Sequence, residues 1–268
     1  MIKKRLIPII LINNGFLVQS KNFGNYQNLG NPIHAVQRLS EWGSDEIIYL
    51  DITKNNSYDI KRDDLKYKNS LNFLSIIKKA SKVSFMPMTV GGKINSVKDV
   101  ERRFQVGADK VSINSGAIKS PKLIESIAKE FGSQCVVISI DVKLNKNKYE
   151  VYSNGGQKKT TYELSEWIKI VNDYGAGEIL LNSIDRDGSK TGFDLKLLKK
   201  AQNISKIPLI ICGGVGKWEH FYQAFKLNNV EAVAAANIFH YNDQSVYLAK
   251  KFLFQKKINI RKPYTLKI

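Results

Sequence analysis

What most constrains this chain is that it repeats itself. Residues 207–237 read as an apolar strand, Ile207-Pro208-Leu209-Ile210-Ile211, a glycine turn at Gly213-Gly214, a helix, and a second apolar strand ending in Ala236-Asn237. Half a chain earlier, Met86-Pro87-Met88-Thr89-Val90 leads into Gly91-Gly92-Lys93, a helix that Asn95 or Ser96 can cap, and a strand ending in Asn114-Ser115. Residues 107–115 overlay residues 229–237, and residues 42–50 overlay residues 174–182, at offsets that differ as one unequal loop would make them. A repeat of this kind marks an architecture assembled from like units.

The unit is strand, helix, strand, helix. Eight apolar runs, at residues 5–11, 46–52, 83–89, 110–114, 135–141, 178–183, 208–212 and 232–236, alternate with helical patterns. Such runs are parallel strands covered by helices on both faces. Eight strand–helix units in 268 residues predict an α/β fold, a (β/α)8 TIM barrel built from two similar (βα)4 halves. An open doubly wound sheet is the alternative, but ring closure lets each half supply four neighbouring strands. No Pro/Gly/Ser-rich linker separates the halves, so residues 1–255 are expected as a single barrel and 256–268 as a C-terminal surface extension.

Composition narrows the class further. The apolar run after Lys3-Lys4-Arg5 is short and enters Asn13-Asn14-Gly15, which suits a first barrel strand better than a signal sequence. No run approaches the roughly 18 apolar residues of a membrane span, and a cytoplasmic protein is expected. Cys135 and Cys212 both fall in strand patterns and read as buried thiols of a reducing compartment. Lys+Arg number 42 against 24 Asp+Glu, a net charge of +18. The basic residues are scattered over the helices rather than clustered with aromatics, which disfavours nucleic acid and leaves a phosphorylated small molecule or an acidic protein partner.

Barrel ligands bind at the C-terminal ends of the strands. A polar loop at residues 13–31 and a polar stretch at 54–68 are expected to lie outside the barrel strands. Glycine turns entering helices expose backbone N–H groups that hold anions. The recurring turn, followed in each half by Asn114-Ser115 or Ala236-Asn237, therefore predicts two symmetry-related phosphate sites, with ligand-free tight turns as the alternative. Asp141 closes the apolar run Val136-Val137-Ile138-Ser139-Ile140, which puts a carboxylate at the barrel mouth as an acid–base candidate. Residues 182–192 are dense in carboxylates, hydroxyls and glycines, but the Asp-x-Asp-Gly spacing at Asp185-Arg186-Asp187-Gly188 lacks the further oxygen ligands of an EF-hand, so a substrate loop is expected and neither a metal nor a cofactor. Residues 148–162 read as a hairpin insertion.

Several motifs together carry a resemblance: Lys4-Arg5-Leu6-Ile7-Pro8, Asp45-Glu46 with Leu50-Asp51-Ile52-Thr53, Asp109-Lys110-Val111-Ser112-Ile113-Asn114, Gly177-Glu178-Ile179, and Ser183-Ile184-Asp185-Arg186-Asp187-Gly188. Over residues 4 to about 255 the chain resembles the HisF family, the cyclase subunit of imidazole glycerol phosphate synthase. The resemblance implies a barrel that receives ammonia from a class I glutaminase docked at its N-terminal face. It also implies an ammonia gate of Arg5, Glu46, Lys110 and Glu178, for which a purely structural ring is the alternative. Phosphate ligands carry over onto Gly92, Asn114 and Ser115 at one site, and onto Asp187, Gly188, Gly214, Ala236 and Asn237 at the other.

One departure redirects the expectation. The family's two acid–base aspartates end its first and fifth barrel strands; Asp141 matches the second, but the first is Leu11, and Gln19 replaces a loop lysine, with Lys21 near. Leucine transfers no proton. HisF-like paralogues of surface-polysaccharide synthesis resemble this chain in the first strand, and there the barrel is thought to pass ammonia to a third protein that amidates an acetamido sugar. The sequence thus favours an ammonia-conducting subunit serving sugar amidation. Two alternatives stand beside it: the cyclase reaction of histidine biosynthesis, and a non-catalytic scaffold that activates the glutaminase.

Overall fold

The computed structural model describes residues 2–55, 57–59, 72–227 and 230–264. The first half runs β1 (Arg5–Asn13), β2 (Phe16–Lys21), β3 (Asn25–Gly30), α1 (Pro32–Glu41), β4 (Ile47–Asp51), α2 (Phe73–Ala80), β5 (Met88–Gly91), α3 (Val97–Phe104), β6 (Lys110–Ile113), α4 (Ser115–Lys119) and α5 (Lys122–Phe131). The second runs β7 (Val136–Asn145), β8 (Lys148–Ser153), β9 (Lys158–Glu163), α6 (Leu164–Asp173), β10 (Glu178–Ser183), α7 (Leu195–Gln202), β11 (Leu209–Cys212), α8 (Trp218–Phe225), β12 (Ala232–Ala235) and α9 (Ser245–Gln255).

Eight of these strands, β1, β4, β5, β6, β7, β10, β11 and β12, pair in parallel and close on themselves through β12 against β1, where Arg5 sits opposite Ala232. The fold is the (β/α)8 barrel. Because successive strand residues face opposite sides, the strands build two cores. One lies between sheet and helices, for example Leu6, Ile10, Ile47 and Tyr49 against Val36 and Leu39 of α1. The other contains strand residues only, among them Ile7, Ile48, Val137, Leu180, Ile210 and Ala234, and is therefore the barrel lumen.

Local sequence explains the helix entries. Asn31 caps α1 by accepting from the Ile33 N–H at 2.8 Å, with Pro32 at the first helical position. Ser96 caps α3 by accepting from the Asp99 N–H at 3.2 Å.

Four expectations change. The third barrel strand begins at Met88 rather than near residue 83, because Pro87 has no N–H to give a ladder and Phe85 is 71% exposed. The segment expected as a polar loop after β1 is instead the hairpin β2–β3, with Leu11 opposite Val18 in an antiparallel ladder. Cys135 lies half-buried in a short 3-10 turn and not in a strand, whereas Cys212 is buried in β11. Of the expected surface extension, Ile260 is buried and pairs with Lys4, whose N–H donates to the Asn259 carbonyl at 2.8 Å. The hairpin insertion is present as β8–β9. The polar stretch at residues 54–68 lies mostly outside the described residues.

Candidate functional site

The four residues expected as a gate converge at the strands' N-terminal ends. Arg5, Lys110 and Glu178 are the first residues of β1, β6 and β10, and Glu46 immediately precedes β4. The Arg5 guanidinium donates to Glu46 at 2.6 Å and to Glu178, while the Lys110 ammonium lies 3.5 Å from Glu46 and 3.2 Å from Glu178. Each cation thus bridges both anions, and the ring is closed. Burial disfavours the Arg5 charge, yet the Glu178 and Glu46 carboxylates outweigh it and hold the guanidinium above its ordinary pKa. Paired opposite charges are what a partly buried position tolerates.

Above the ring the lumen is mostly apolar, with the buried hydroxyls of Thr89, Ser112 and Ser139 on the same strand faces, and Leu11, Leu50 and Ala236 pack on its upper edge. It opens into a cavity of about 630 Å³ at the C-terminal ends of the strands. The cavity is lined by Asp141, both glycine turns and Leu11, so the structure brings every expected phosphate-site residue to one chamber.

Asp141 is 7% exposed, deep in this chamber. Asn114 Nδ2 donates to its Oδ2 at 3.1 Å and Ser139 Oγ to its Oδ1 at 3.2 Å. Burial pushes its carboxyl up to about 7, opposed by hydrogen bonds from Ser139 and Asn182 and assisted by the charge of Asp187. A group that is half-protonated near neutrality can give or take a proton. From β1 the chamber is lined by Ile9 and Leu11, so that strand brings no second carboxylate. Burial, then Asp187, raise the Cys212 thiol well above its ordinary range, which leaves it protonated and poorly nucleophilic.

The first glycine turn needs its glycine: Gly92 has φ +105°, and a Cβ would lie 2.4 Å from the Asp51 carbonyl oxygen. Ser115 Oγ accepts from the Asn154 N–H at 3.0 Å, tying this site to the β8–β9 turn. At the second turn Gly214 has φ +94°, and a Cβ would meet the Gly192 carbonyl oxygen at 2.3 Å. Here two of the expected ligands already have partners. Asp187 Oδ2 accepts from Ser20 Oγ at 2.8 Å and from the Phe23 N–H at 3.1 Å, and Asn237 Nδ2 donates to the Ser20 carbonyl at 2.7 Å. These contacts hold the β2–β3 hairpin across the mouth. Its Phe23 ring crowds Gly156, where an added Cβ would come within 2.9 Å.

Of the lining residues not singled out one by one, three stand out, two of them, Asn182 and Lys190, within the expected substrate loop. Asn182 lies opposite Asp141 in the β7–β10 ladder, and its buried Oδ1 has no hydrogen-bond partner; its two-residue spacing from Leu180 and Glu178 was the signal. Lys93 follows the first glycine turn, and Lys190, in the loop after β10, places its ammonium 4.4 Å from the centre of the Tyr241 ring. Lysines so abundant in this sequence carry little signal.

Comparison with known proteins agrees with this geometry. Residues 5–245 match the histidine biosynthesis protein family. The chain is 40% identical over 262 residues to the imidazole glycerol phosphate synthase subunit HisF of Bacillus cereus (strain G9842), covering 97% of this chain and 100% of that one. The subunits HisF of Natranaerobius thermophilus and Alkaliphilus metalliredigens are 39% and 40% identical, again over their full length and 97% and 98% of this chain. With barrel, mouth and similarity extending over nearly the whole sequence, the chain belongs to the histidine biosynthesis protein family, on its HisF branch.

Proposed function

We propose that the chain is the synthase subunit of a glutamine amidotransferase, taking ammonia from a separate glutaminase at the strands' N-terminal ends and using it in the cavity at the other end. The relatives' names favour the cyclase reaction of imidazole glycerol phosphate synthase. In it, ammonia condenses with the bis-phosphorylated ribulosyl aminoimidazole carboxamide nucleotide with loss of water, giving imidazole glycerol phosphate and an aminoimidazole carboxamide ribotide. The observation that supports this reading is the arrangement along one axis: a charged ring, a mostly apolar lumen, then a chamber with two anion-type turns flanking Asp141.

In this reading the two turns hold the substrate's two phosphates, and the substrate's span orients its reacting centre over Asp141. Near its pKa of about 7 that carboxyl serves as base in one proton transfer and acid in the next. The ring of Arg5, Glu46, Lys110 and Glu178 opens for ammonia when the glutaminase turns over.

Leu11 favours a second reading. With leucine in place of a carboxylate at the end of β1, ammonia delivered through the lumen would serve a third protein that amidates a sugar in glycan biosynthesis. Supplying the purified chain with the bis-phosphorylated nucleotide and saturating ammonium salt separates the two. The cyclase reading expects turnover, slowed about 10²–10⁴-fold relative to a two-carboxylate site. No turnover by a folded chain that still stimulates a cognate glutaminase would sink it and leave the sugar-amidation reading.

A further inference from the structure

We propose that Lys93 is a specificity-determining ligand of the first glycine turn, supplying the formal positive charge that selects a dianionic phosphate group there; this rests on the reading of that turn as a phosphate site. The turn otherwise offers backbone N–H groups and the neutral side chains of Asn114 and Ser115, which hold an oxyanion without strongly weighing its charge.

Backbone conformation is the first support. Lys93 has φ +53°, in the left-handed region where a Cβ is disfavoured and glycine is the usual occupant. It is held there directly after two glycines, at the edge of a ligand-sized chamber. Backbone strain kept at a mouth points toward a role for the side chain. Lys93 lines the chamber beside Gly92 as well as a smaller neighbouring cavity, and its side chain is 31% exposed, within reach of a ligand.

The ammonium is also available. Its carboxylate partner, Asp51 Oδ2, lies 3.7 Å away, well beyond the about 2.7–2.9 Å of a charge-assisted hydrogen bond. Its other contact is the Asn55 carbonyl oxygen, a neutral acceptor. Asp51 does not depend on Lys93 alone. The buried Arg103 guanidinium lies close enough for mutual electrostatic support with Asp51, and it is fixed by donating to the Gly92 carbonyl at 2.5 Å and the Asp99 carbonyl at 2.6 Å. Lys93 can therefore turn from Asp51 to an arriving phosphate while Asp51 keeps a compensating charge. Arg103 meanwhile braces the turn through the Gly92 carbonyl and does not itself line the chamber.

The test is isothermal titration of the full chain with inorganic phosphate, comparing the wild type with Lys93→Gly and Lys93→Arg. Lys93→Gly relaxes the backbone while removing the ammonium, so the variant is expected to fold with unchanged or higher thermal stability. The wild type should bind two phosphates, Lys93→Gly should weaken one of them about tenfold, and Lys93→Arg should restore it to within about threefold. Affinities in Lys93→Gly unchanged from the wild type at both sites overturn the role of Lys93 and leave the phosphate reading standing. Arginine performing no better than glycine overturns charge selection. A wild type that binds no phosphate overturns both the role and the reading beneath it.

Discussion

Asp141 combines a cost and a capability in one side chain. Its folded-state carboxyl is raised from 3.8 to about 7 chiefly by burial. A carboxyl raised on folding binds its proton more tightly in the folded state, so its neutral form favours folding below the unfolded value. That contribution is lost as pH rises toward 7. The shift corresponds to a penalty on the order of 4 kcal/mol above pH 7. Asp141→Asn should therefore raise stability to denaturant at pH 8 far more than at pH 4, while lowering any cyclase rate about 10²–10⁴-fold. Paired urea melts at the two pH values, with an activity assay, check both parts. The sequence made Asp141 legible because a carboxylate ending an apolar run has one place to go in a barrel. Lys93 was not legible, since a lysine's default is solvent, and Asn182 was legible only as one residue of the expected substrate loop.

At the scale of elements, the β2–β3 hairpin is the piece the sequence concealed. Gln19, Asn22, Asn25, Gln27 and Asn28 are poor strand formers, and the short apolar alternation of Leu17 and Val18 is too brief to outweigh them. What makes these residues strands is tertiary: β2 extends the ladder of β1, and Asp187 and Asn237 clamp its end. The barrel strands, by contrast, are apolar on both faces and announce themselves. Asp187→Ala removes acceptors for Ser20 and the Phe23 N–H, each bond contributing about 1 kcal/mol. Amide exchange should then quicken across residues 16–30 and stay unchanged in β4 and β10. Uniform quickening throughout the barrel would mean that the clamp supports the whole fold and not the hairpin.

For the whole molecule, the barrel is tied at its lower end by a lysine that composition hides among many. Lys250 of α9 is 1% exposed, and its ammonium donates to the Gly43 carbonyl and to Asp45 Oδ1, each at 2.8 Å. Asp45 in turn accepts from the Leu6 N–H at 2.9 Å, so the last helix is fastened to the first strand. Replacing Lys250 by Met keeps the volume but leaves Asp45 buried with its charge uncompensated. Chemical denaturation should show a loss of about 3–5 kcal/mol. A loss below about 1 kcal/mol would mean that Arg261, 3.8 Å from Asp45, takes over the pairing.

The ring of Arg5, Glu46, Lys110 and Glu178 has a further consequence when set against the +18 of the whole chain. Two positive and two negative charges in alternation sum to zero. They form a quadrupole, whose field dies away within a few ångströms, whereas the field of the whole chain reaches outward about a Debye length. Dissolved salt is therefore expected to act strongly on how fast any acidic protein approaches this one and weakly on the pairing within the ring. Approach of a charged partner and pairing within the ring answer to different ranges of the same force, so substitutions can tune one and leave the other untouched.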